Sequence, residues 1–82
     1  MVHLMAGLVR KIQKMPDDID ALLNDRDLRQ AYDARPAYQR NDYLAWIGRA
    51  KREATRTKRI QQMLDELIAG NVYMKMVWGR GR

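Results

Sequence analysis

The sequence predicts an all-α fold, a small orthogonal bundle of four to five short helices followed by an irregular C-terminal tail. Apolar residues recur at steps of three and four along successive segments, which is the spacing of one helix face. Pro16, Asn24-Asp25, Pro36 and Gly70-Asn71 punctuate those segments where helices start or stop. A chain of 82 residues forms one core, and an enclosed catalytic cavity would consume much of its side-chain volume.

The first element is read from Met1, Met5, Leu8, Ile12 and Met15, one face of an amphipathic helix over residues 1–15, with Arg10, Lys11 and Lys14 mostly on other faces. It is expected to pack on the rest of the domain, with anchoring at a membrane surface as its functional alternative. Pro16 biases Met15 away from helix, and Asp17, Asp18 and Asp20 suit the positive start of a helix reaching Leu23. These aspartates lack the central glycine and closing glutamate of a calcium loop, so no metal site is expected. After Asn24-Asp25, Leu28, Ala31 and Tyr32 mark a helix ending at Ala34.

Pro36 opens the next helix, with Tyr43, Trp46, Ile47 and Ala50 on one face as core anchors. No proline lies between Arg49 and Ala69, yet the apolar stripe ending at Ala54 and the stripe Ile60, Met63, Leu64, Leu67 are centred about 100° apart on a straight helix. A break is therefore predicted, with one helix ending near Arg52 and another running from about Arg56 to Ala69, capped by Thr55 and closed by Gly70. That start crowds Arg56, Lys58 and Arg59 against the helix macrodipole and calls for an offsetting partner, either an internal acidic residue or an external anion. Residues 71–82 carry no helical period and read as a flexible basic and aromatic tail.

Residues 1–42 carry seven basic and seven acidic side chains, and residues 43–82 carry nine against three, so the whole net charge of +6 lies in the second half. Arg49, Lys51, Arg52, Arg56, Lys58 and Arg59 surround the lone Glu53 there, and form the candidate anion-binding site. Cys and Ser are absent and His3 is the one histidine, which excludes thiol and serine nucleophiles and Cys/His zinc sites. No cofactor is expected, no apolar run reaches membrane-spanning length, and the absence of Cys fits a reducing, cytoplasmic setting.

The segment from Tyr43 to Ile60, with its Trp46-Ile47, Ala50-Lys51, Thr55-Arg56 and Arg59-Ile60 pairs, resembles the signature of the YdeI/OmpD-associated (OmdA) family. Met15-Pro16-Asp17-Asp18-Ile19 is similar to that family's opening, and Leu67 to Gly70 to its close. The resemblance covers Pro16 to Gly70 and implies a small all-helical bacterial domain, linked by name to bacteriocin protection and to an outer-membrane porin. It supplies no catalytic residues. Glu53-Ala54 departs from the family's more usual Pro-Glu pair before Thr-Arg, which implies a less sharply broken helix here.

The expected function is a non-enzymatic binding module that engages an anionic macromolecule through the arginine cluster, with nucleic acid bound without sequence specificity as the first reading. The alternative is a protein-interaction module in an envelope-stress or bacteriocin-protection response, in which the Met-rich ends bind a hydrophobic partner surface. In that case the cluster would pair internally with Asp17, Asp18, Asp20 or Asp42. Exposed apolar positions on the first helix and tail could also close a homodimer.

Overall fold

The computed structural model describes residues 12–78. Four helices are followed by a short hairpin: α1 (Asp17–Asp25), α2 (Arg29–Asp33), α3 (Ala37–Gly48), α4 (Glu53–Ala69), β1 (Val72–Tyr73) and β2 (Met76–Val77). The protein is thus mostly helical rather than purely all-α. The tail expected to be irregular instead pairs β1 with β2 in antiparallel register, Val72 opposite Val77 and Tyr73 opposite Met76. Residues 12–16 are not helical, which corrects the end of the predicted first helix; its remainder, like the Gly-Arg terminus, lies outside the described residues.

Pro16 precedes α1 in extended backbone, and Asp17, Asp18 and Asp20 occupy the first turn as the dipole favours. The helix runs two residues past the expected Leu23 and closes on Asp27, which adopts a left-handed φ of 58°. The Asp27 amide donates to the Asn24 carbonyl and the Leu28 amide to the Leu23 carbonyl, a reciprocal pair that satisfies the last orphan acceptors. Leu28 then packs on the core, and α2 occupies only five residues before Pro36 stops it.

The core is built at helical spacing by Ile19 and Leu23 of α1, Tyr32 of α2, Tyr43, Leu44 and Ile47 of α3, and Ile60, Met63, Leu64 and Leu67 of α4. The predicted break between α3 and α4 is present, but it is wider and earlier than expected. α3 stops at Gly48, residues 49–52 form the connection, and α4 begins at Glu53 with Thr55 inside its first turn rather than capping it. Glu53 supplies the negative charge that the dipole favours, so the crowding inferred for a start at Arg56 is relieved. Gly70 ends α4 with φ 84°, a conformation that glycine adopts without a Cβ penalty.

The hairpin docks through Tyr73, whose ring meets Tyr38 and Tyr43 edge-on at centroid distances of 5.9 and 5.4 Å. Its hydroxyl donates to Asp42 Oδ2 at 2.8 Å. Met74 and Lys75 form the turn, both with positive φ, where glycine or asparagine would ordinarily be found.

Candidate functional site

The junction of α3 and α4 carries the six basic residues singled out from the sequence, and the structure divides them into two groups. Arg56 lies one turn into α4 and reaches Asp18 in the first turn of α1, with Nη–O distances of 2.6 and 3.1 Å. This is a bidentate pair, the geometry that suits guanidinium to carboxylate. The Arg56 hydrogen bond holds the Asp18 carboxyl below the usual carboxylate range, and the same bond raises the Arg56 guanidinium.

Arg59, one turn further along, folds back on α3. Its Nη1 donates to the Trp46 carbonyl at 2.7 Å, and its guanidinium lies 5.3 Å from the centroid of the Trp46 ring. The bond satisfies a carbonyl in the last turn of α3, where a cation also meets the negative end of the dipole. Arg59 therefore ties the two helices together across their connection.

Arg49, Lys51, Arg52 and Lys58 form the second group and are exposed. Among the described residues, no side-chain hydrogen bond or ion pair engages any of the four. Arg52 occupies the residue before α4 with φ −112° and ψ 146°, backbone suited to a capping Ser, Thr or Asp, yet it makes no side-chain cap. The first amides of α4 thus lie beside Arg52 and Lys51 without a capping acceptor, and Glu53 is the one acidic side chain in that turn.

Among the described residues, three polar ones that helical periodicity does not single out are buried: Glu66, Arg35 and Gln39. Glu66 falls between Met63 and Leu67 on the apolar face of α4 and is 5% exposed. Its Oε1 accepts from the Tyr43 hydroxyl and the Met74 amide, and its Oε2 from Gln62 Nε2 and the Lys75 amide. The bond and the burial raise the Tyr43 phenol above its ordinary value, burial being the larger cause. Arg35, also 5% exposed, donates to Gln39 Oε1 at 3.0 Å and to the Glu66 carbonyl at 2.9 Å. A glutamate inside an apolar stripe, and an arginine immediately before a helix-starting proline, were the available sequence signals.

Among the described residues, no cluster of three or more His, Cys, Asp or Glu could hold a metal ion, and no helix is long and apolar enough to cross a membrane. The family model described as "Bacteriocin-protection, YdeI or OmpD-Associated" matches residues 13–70, from the segment before α1 to the glycine that closes α4. The chain belongs to the OmdA family. The match takes in all four helices, the Asp18–Arg56 pair and the Arg59–Trp46 contact, and it stops before the hairpin. No curated protein and no solved structure matches this OmdA domain.

Proposed function

We propose that this OmdA domain is a non-enzymatic interaction module that docks an acidic partner protein on the basic junction between α3 and α4. The carrying observation is the exposed, internally unengaged set Arg49, Lys51, Arg52 and Lys58 around an α4 start that has no side-chain cap. An arginine where a capping acceptor would be more stabilising is a local choice that favours a surface over the fold. In this reading the four helices are a small orthogonal bundle, and the junction is one of its corners.

The family's description, in terms of bacteriocin protection and association with OmpD, favours a protein partner. Pairing of Arg56 with Asp18 and of Arg59 with the Trp46 carbonyl points the same way, because it engages two of the six cations within the chain and leaves fewer free for the phosphates that nucleic acid would present. A non-enzymatic role is supported by Glu66, the one buried carboxylate among the described residues, whose four donors leave it no free position for proton transfer. Sequence-independent nucleic-acid binding is the second reading, favoured by the same four exposed cations.

The test compares the wild type with an Arg49→Glu/Lys51→Glu/Arg52→Glu variant whose helicity is checked by circular dichroism. Pull-downs from a bacterial envelope fraction are run beside anisotropy titrations with labelled duplex DNA, single-stranded DNA and RNA. The proposal expects protein retention that the variant loses, and no nucleic-acid binding at roughly 100 mM salt, where several phosphate contacts would still register. Tight nucleic-acid binding that weakens log-linearly with salt would move the assignment to the second reading. Binding unchanged in the folded variant would remove the junction from both.

A further inference from the structure

The geometry points to a second site, away from the basic junction: we propose that a cleft between the ends of α2 and α4 binds a small apolar carboxylate through Arg35. The cleft has a volume of about 190 Å³ and is lined by Ala31, Ala34, Arg35, Leu67, Gly70 and Trp78.

Arg35 is the one charged group on that lining and is 5% exposed. A guanidinium carries five N–H donors, and its hydrogen bonds here are the two to Gln39 and to the Glu66 carbonyl. Among the described residues it has no ion-pair partner. Arg35 bonds the backbone carbonyl of Glu66, whose carboxylate oxygens are taken by Tyr43, Gln62, Met74 and Lys75. A buried cation without an anion is costly, and it is ordinarily matched by a carboxylate. The Trp78 ring, 5.0 Å from the guanidinium, and the negative end of the α4 dipole offset part of that cost without supplying an anion.

The remaining walls define the rest of the ligand. Ala31, Ala34 and Leu67 offer no polar side chain, and Trp78 presents an aromatic surface beside the charge. A polar anchor set among apolar walls is the usual composition of a small-molecule site. A cavity of about 150 Å³ holds a benzene ring, so this cleft admits a monocyclic aromatic or short branched-chain carboxylate. The carboxylate would take the free guanidinium N–H groups, and the apolar part would lie against Trp78 and Leu67. Inorganic phosphate would find the charge but not the walls, which separates this cleft from the polyanion-type surface at the α3–α4 junction.

The experiment titrates benzoate, isovalerate, inorganic phosphate and the neutral benzyl alcohol into the protein by calorimetry, with tryptophan fluorescence recorded in parallel. Benzoate or isovalerate is expected to saturate one site with a dissociation constant near 1 mM, a value of the order that so small a ligand reaches. Benzyl alcohol and phosphate are expected to bind at least about tenfold more weakly. Ala34→Leu narrows the cleft from its exposed rim, keeps Arg35, and should weaken carboxylate binding by about tenfold or more with an unchanged circular dichroism spectrum. Arg35→Gln should abolish it, and should that variant fail to fold, Ala34→Leu decides. The proposal is overturned if neither carboxylate saturates below about 10 mM, if benzyl alcohol or phosphate binds as well, or if Ala34→Leu leaves the affinity intact.

Discussion

Glu66 is a carboxylate placed where the helical pattern calls for an apolar side chain, and four donors from three elements make that placement tolerable. Two of them are the amides of Met74 and Lys75, so the same group holds a turn whose residues both sit in left-handed backbone without glycine. Glu66→Gln exchanges an acceptor for an amide NH₂ that faces other donors. It should destabilise the protein by about 2 to 3 kcal/mol, measured by urea unfolding, with hydrogen exchange accelerated first at Met74 and Lys75. The Asp18–Arg56 pair is a smaller matter, since the Asp18 side chain is 57% exposed and solvent screens it. A double-mutant cycle with Asp18→Ala and Arg56→Ala should return a coupling of about 0.2 to 1 kcal/mol. The Asp18 carboxyl is lowered in the folded protein relative to the unfolded chain. Its contribution is therefore full above the unfolded value near pH 4 and fades as pH falls through the folded one, so the cycle repeated in acid should return a smaller coupling.

At the scale of elements, much of the helix layout was legible because it rests on spacing. The angular mismatch between the Tyr43 and Ile60 stripes required a break, and α3 and α4 are indeed separate, with core residues on both of the predicted faces. The break lies earlier than a hydroxyl cap at Thr55 would place it, because α4 starts without a side-chain cap and carries Glu53 in its first turn. The hairpin was not legible, since Met74-Lys75 gives none of the usual turn residues and its conformation is imposed by Glu66 from another element. In the candidate site, the arginine cluster was visible as a run of charge, but which members are engaged within the chain depends on Asp18 in α1 and Trp46 in α3, residues of other elements. Arg52 carries the element-scale prediction. Arg52→Asp supplies the missing cap and removes a cation from the α4 start, so it should raise stability by about 1 kcal/mol in thermal unfolding. The same change should reduce retention of the proposed acidic partner, and a variant more stable yet weaker in binding is the expected pattern.

For the whole molecule, the net charge of +6 is concentrated on one half of the sequence, so association with an acidic partner should be fast at low salt and slow as salt rises. Stability in alkali has a separate origin. Burial raises the phenols of Tyr43 and Tyr32, so the folded state holds those protons more tightly than the unfolded chain does. Their contribution is complete below the unfolded value near pH 10 and is lost as pH climbs through the folded values. Unfolding midpoints should accordingly drop above about pH 10. Tyr43→Phe should flatten that drop while lowering stability at neutral pH by about 1 to 2 kcal/mol through the lost bond to Glu66.

During synthesis, Glu66 leaves the ribosome before Met74 and Lys75, so a nascent chain that has released all four helices still lacks two of the donors that make a carboxylate acceptable inside the core. Until they follow, the Glu66 carboxylate has only Tyr43 and Gln62 as protein donors. Final packing waits for the strand pair to emerge, so completion of the core is tied to the hairpin even though the core residues themselves lie in the four helices.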